Sequence, residues 1–97
     1  MTERLYYHDS YRRSCDATIA DFRVQDDRVA LVLDQTVFYP ASGGQPADTG
    51  TLGTVRIVDV VDCEDGTIAH LIEPVSDRAQ VAAELAIGRT LHAAIDW

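Results

Sequence analysis

The spacing of apolar and polar residues along the chain is mostly that of β-strands. Ala17 to Val24 alternates, with Thr18, Ala20, Phe22 and Val24 on one face and Ile19, Asp21 and Arg23 on the other. Gln25-Asp26-Asp27 supplies a polar turn, and Arg28 to Asp34 (RVALVLD) follows as a strand apolar on both faces, so the two runs predict a hairpin. Val55 to Cys63 is rich in Val and Ile, and Thr67 to Ile72 is its expected return strand. Between them stands Asp65-Gly66, a dipeptide suited to a type I′ turn because that turn needs positive φ at both central positions. A two-residue turn there sets Cys63 opposite Ile68 and Val61 opposite His70. Ser76 to Ile87 is Ala-rich, with Ser76 or Asp77 as N-cap and Gly88 as stop, and predicts a short helix. Thr90 to Trp97 resumes alternation, with Leu91, Ala93 and Ile95 on one side. Five to seven short strands and at most one short helix predict a mainly β fold, a small closed or partly closed antiparallel barrel.

Length and charge narrow this picture. Ninety-seven residues suffice for one domain, here expected to span 1–97. Sixteen Asp and Glu stand against eight Arg and no Lys, for a net charge of −8. Nucleic-acid binders make phosphate contacts with clustered cations, whereas only Arg12 and Arg13 are adjacent here. Any role with RNA therefore calls for a local site or for basic surface on another domain or partner. No apolar run approaches the ~20 residues that span a bilayer, so no membrane role is expected. The N-terminus lacks a basic segment followed by an apolar one, and the chain has only two cysteines, Cys15 and Cys63. Two reduced thiols in a cytoplasmic protein are the expectation.

The informative segment runs from Asp34 to Gly53. Four of the six glycines fall between Gly43 and Gly53. Gly43-Gly44 permits positive φ or a close backbone approach, and Pro40 and Pro46 stiffen the chain on either side. Gln45 adds an amide, while Thr36, Tyr39 and Ser42 add hydroxyls. A rigid frame with exposed amides and short polar side chains suits a polar ligand or a nucleic-acid end. A plain barrel corner has the same composition. A nucleotide phosphate loop is excluded, since it needs a lysine that the chain lacks.

The run T-V-F-Y-P-A-S-G-G-Q-P-A-D-T-G, Thr36 to Gly50, resembles the glycine-rich motif of AlaX-type alanyl-tRNA editing proteins, relatives of the editing domain of alanyl-tRNA synthetase. The family pattern is close to T-x-F-Y-P-x-x-G-G-Q-P-x-D-x-G. Thr36, Phe38, Tyr39, Pro40, Gly43, Gly44, Gln45, Pro46, Asp48 and Gly50 match it, and Ser42 stands where many members have a third glycine. The resemblance implies an N-terminal β-barrel that precedes a zinc-binding α/β editing domain, which hydrolyses the ester of mischarged alanine-acceptor tRNA, typically seryl-tRNA.

On this resemblance the motif loop is 36–50 and the zinc domain is absent, so the chain holds no catalytic residue and binds no metal. The H-x-x-x-H zinc pair of the family is missing: His8, His70 and His92 are isolated from one another. The 97 residues alone are expected to be inactive as a hydrolase. Thr36 is the residue expected to meet the seryl hydroxyl. Gly43, Gly44 and Gln45 are expected at the tRNA 3′ end, and Asp48 is expected to cap the loop. A site that hydrogen-bonds a hydroxyl separates serine from alanine far better than an apolar pocket does. A binding or assembly module that no longer edits is the rival reading. A Cys63–His70 nucleophilic pair is disfavoured by their diagonal placement. The expected partners are the tRNA acceptor end, the zinc domain and a second copy, the last through an edge strand at Thr90–Trp97.

Overall fold

A computed structural model describes residues 2–5, 13–25, 28–41, 46–63, 65–73 and 85–96. Eight strands follow one another: β1 (Glu3–Arg4), β2 (Ser14–Gln25), β3 (Arg28–Leu33), β4 (Gln35–Thr36), β5 (Gly50–Leu52), β6 (Val55–Asp62), β7 (Ile68–Ile72) and β8 (Thr90–Ile95). Six of them close into an antiparallel barrel in the order β2-β3-β7-β6-β5-β8, with β8 returning to β2. The remaining two, β1 and β4, form a short parallel ladder, Glu3 opposite Gln35 and Arg4 opposite Thr36. The expected mainly β barrel is therefore the observed architecture. Closure satisfies backbone groups that an open sheet leaves at its edges.

The first hairpin forms as its pattern predicts, with Gln25 opposite Arg28. Its faces differ from strict alternation. The register shifts between Ile19 and Asp21, so Ile19 faces Leu33 while Phe22 faces Leu31. Leu31 and Leu33 lie on one face of β3, and the bulge therefore carries Phe22 to the side that Ile19 uses. Cys15, Ala17 and Ile19 are buried on that side, whereas Phe22 is 38% exposed.

The second hairpin corrects the sequence expectation by one residue. Asp62 pairs with Ile68, Val61 with Ala69 and Val60 with His70. The turn is longer than two residues: the Cys63 amide donates to the Thr67 carbonyl at 3.1 Å. Asp65 Oδ1 accepts from the Thr67 amide at 3.0 Å and also from the Thr67 hydroxyl. These bonds hold the turn, and within it Gly66 takes φ 91°. A slip of one residue exchanges the two faces of a strand. His70 thus points inward with Val60, both fully buried, while Val61 lies outward and 42% exposed.

The core fills the barrel with Ile19, Leu31, Leu33, Leu52, Ile57, Val60, Ile68, Ile72 and Ala93. Thr36, Val37 and Phe38 are three successive buried residues after β4. A wall strand would turn every second side chain outward, so this segment is enclosed on all sides. Gly50 sits where β5 meets β8, and a Cβ there would overlap the Ala94 carbonyl oxygen.

Two further expectations change. Strand β8 pairs with β2 along Thr90–Ala94 and with β5 along Ala93–Ile95, so it is an inner strand of the barrel and not the edge strand expected. Of the helix expected over Ser76–Ile87, residues 76–84 lie outside the described residues. Residues 85–88 form a turn in which the Arg89 amide donates to the Ala86 carbonyl at 3.0 Å, and Gly88, the expected stop, takes φ 91°.

Candidate functional site

Thr36 is the one predicted ligand-contacting residue that falls within the described residues; Gly43, Gly44 and Gln45 lie outside them. Its side chain is completely buried at the end of β4. Thr36 Oγ1 lies 2.7 Å from His70 Nε2 and accepts from the Phe38 amide at 3.0 Å. His70 Nδ1 lies 3.0 Å from the Leu31 carbonyl oxygen. A carbonyl only accepts, so Nδ1 carries the ring proton and Nε2 is bare. Nε2 then accepts the Thr36 hydroxyl proton. The Phe38 ring meets the imidazole edge-on, with centroids 5.5 Å apart and planes at 80°.

Burial pushes the His70 imidazole down to about 4, because the apolar interior disfavours its charged form more than the Leu31 and Ile68 carbonyls favour it. At neutral pH the ring is therefore uncharged, and with its one proton turned to the Leu31 carbonyl its Nε2 is left as an acceptor. Inward parity in β7, Ile68-His70-Ile72, is the sequence signal for this residue: one polar side chain on an otherwise apolar face. The two-residue turn expected at Asp65-Gly66 concealed it.

The described ends of the motif loop are clasped. The Tyr39 amide donates to Asp48 Oδ2 at 3.0 Å, and the Asp48 amide donates to the Tyr39 carbonyl at 3.0 Å. The Asp48 carboxylate thus caps the Tyr39 amide, in line with the expected loop cap. Ala41 donates to the Val60 carbonyl at 3.2 Å and ties the loop to β6. Of the two motif aromatics, Phe38 belongs to the core and Tyr39 stands 46% exposed.

Cys63 and His70 do not meet. His70 points inside the barrel, and the Cys63 thiol donates weakly to the Val61 carbonyl at 3.9 Å. Neither Cys63 nor Cys15 forms a disulfide. Among the described residues, no three of His, Cys, Asp and Glu converge on a point that could hold a metal ion. Both nitrogens of His70 are committed to protein partners, which removes its ligand capacity. The described side chains do not fit a zinc site. Among the described residues no helix is long and apolar enough to cross a membrane.

A small closed antiparallel barrel with a clasped glycine-rich loop is the class of protein that this geometry defines. Residues 7–97 match the family described as tRNA synthetases class II (A), and the chain belongs to it. Alanyl-tRNA editing protein AlaX-M of Pyrococcus horikoshii is 36% identical over 98 residues, covering 100% of this chain and 40% of that protein. AlaX-M of Methanosarcina acetivorans is 43% identical over 104 residues, again 100% of this chain and 40% of the relative. The alanine–tRNA ligase of Haloquadratum walsbyi is 48% identical over 73 residues, 71% of this chain and 8% of the ligase. The chain thus spans about two fifths of the AlaX-M proteins that it matches.

Proposed function

We propose that the chain is the recognition barrel of a trans-editing aminoacyl-tRNA hydrolase, which clears mischarged alanine-acceptor tRNA, typically seryl-tRNA. The observation that carries this reading is the match along 100% of the chain to proteins named alanyl-tRNA editing protein. Ten of the fifteen positions from Thr36 to Gly50 also follow the family motif. In this reading Thr36 meets the seryl hydroxyl, while Gly43, Gly44 and Gln45 contact the tRNA 3′ end. Ester hydrolysis, with its zinc, belongs to a domain outside these residues. The net charge of −8 suits a barrel that meets only the tip of a tRNA held by other surfaces.

The test combines the 97-residue chain with the zinc-binding domain of an AlaX-M relative and follows deacylation of seryl-tRNA bearing alanine identity. The barrel is expected to raise activity or serine selectivity, and Thr36→Val to lower that selectivity. Chelator-sensitive turnover by the chain alone would overturn the division of labour. A second reading, a binding module without editing activity, draws on the complete burial of Thr36. It predicts that neither the barrel nor Thr36→Val alters deacylation.

A further inference from the structure

Three polar or charged residues are buried among the described residues: Thr2, Thr36 and His70. Thr2 is tied to the β6–β7 turn, where its hydroxyl accepts from the Ile68 amide at 3.1 Å and its amide donates to the Gly66 carbonyl. Thr36 and His70 differ from it because together they form a chain of hydrogen bonds with a fixed direction. The Leu31 carbonyl admits only a donor, so Nδ1–H faces it, and in the uncharged ring Nε2 can only accept. The one proton of Thr36 therefore points inward at Nε2, 2.7 Å away. One lone pair of Oγ1 is spent on the Phe38 amide, leaving a single lone pair uncommitted. A threonine on a protein surface chooses between donating and accepting. Here that choice has been removed.

We infer that His70 is a positioning residue that makes Thr36 an acceptor-only contact, so that the group Thr36 recognises is a hydrogen-bond donor, the hydroxyl of an aminoacyl side chain. The inference rests on the reading that Thr36 faces the aminoacyl group. It adds the polarity of the contact and the residue that sets it. Serine offers a donor to the spare lone pair, whereas alanine offers a methyl and glycine offers nothing. Thr36 is covered by its neighbours in this conformation, so a ligand reaches Oγ1 once that cover is displaced.

Two measurements separate this inference from the reading beneath it. The first is ¹⁵N NMR of the 97-residue chain at neutral pH, which reports the His70 tautomer and the coupling of the Thr36 hydroxyl proton to Nε2. The Nδ1–H tautomer with that coupling is expected; an Nε2–H tautomer or an imidazolium overturns the inference whatever the editing assay gives. The second is the ratio of seryl- to glycyl-tRNA deacylation in the mixture with a relative's zinc domain. His70→Asn keeps a donor near the place of Nδ1 and loses the acceptor for Thr36, and is expected to lower the ratio about tenfold, the value of one hydrogen bond. His70→Gln places an amide oxygen near the position of Nε2 and is expected to restore most of it. A ratio unchanged in both variants, with the wild-type barrel still conferring selectivity, overturns the role of His70 and leaves the editing reading standing. A wild-type barrel that confers no selectivity overturns both.

Discussion

Two hydrogen-bonded clusters in this small barrel each include a threonine hydroxyl and behave as opposites. In the interior, Thr36 and His70 lie between the Leu31 carbonyl and the Phe38 amide, with no solvent exposure. On the surface, Asp96 accepts from the Thr49 hydroxyl at 2.9 Å and is held by both terminal nitrogens of Arg56. The surface cluster lowers the Asp96 carboxyl below its usual range through its hydrogen bonds with Arg56 and Thr49. Water competes for every one of those bonds, so they tie β5, β6 and the end of β8 together only weakly, and the Thr49 hydroxyl can turn to solvent instead. Inside, no water competes, so each donor must find its acceptor and each proton has one place to sit. The difference teaches that the direction of a hydroxyl's hydrogen bond is fixed only where solvent cannot offer it another partner.

The largest expected effect breaks the interior cluster. Thr36→Val conserves shape but leaves His70 Nε2 and the Phe38 amide without partners, and each orphaned buried group costs ~1–3 kcal/mol. A loss of roughly 2–4 kcal/mol in urea unfolding is expected. A loss below ~0.5 kcal/mol would show that the cluster is not the closed unit described.

Acid attacks the same cluster. The imidazole has a folded value of about 4 against an ordinary 6.5, so between these values the unfolded chain binds the extra proton. Stability from His70 is complete above pH 6.5 and is lost as pH falls toward 4. At ~1.4 kcal/mol per unit the loss amounts to ~3 kcal/mol over that window. Asp65 and Asp96, both lowered, contribute their loss below the ordinary carboxylate range and so outside this window. Urea titrations at several pH values should give this slope for the wild type and a flatter line for His70→Gln. Parallel lines would place the ring in water.

The smallest effect is expected at the surface. Arg56→Ala removes two charge-assisted bonds to Asp96, yet both side chains are about half exposed. A slight drop in Tm at low salt should fade as salt rises. A large drop that persists at high salt would erase the contrast between the two clusters.

Much of the fold was legible in the alternation of Ala17–Val24 and in the β-branched, apolar runs Arg28–Asp34, Val55–Cys63 and Thr67–Ile72, because short apolar runs between turn residues suit strands. Their register was less legible. The type I′ turn read at Asp65-Gly66 is replaced by a longer turn in which Asp65 binds Thr67, and no alternation rule records such a bond. That one residue decided which of two faces His70 joined. The bulge after Ile19 has a similar origin, as β2 pairs along one part with β8 and along another with β3. The motif made Thr36 conspicuous and Asp48 a plausible cap. His70 belonged to no motif, and its partnership with a residue 34 positions away arises only from pairing β7 against β3.

The sequence by itself determined the strand-rich class, the family motif from Thr36 to Gly50 and the acidic charge, since these depend on local order and composition alone. The tertiary structure decided the closure of the barrel, the place of β8 between β5 and β2 and the inward placement of His70. Closure and register are set by pairings between distant strands, and a shift of one residue there exchanges solvent for core. Only after that choice was made did a threonine and a histidine far apart in the chain share one proton in a dry interior.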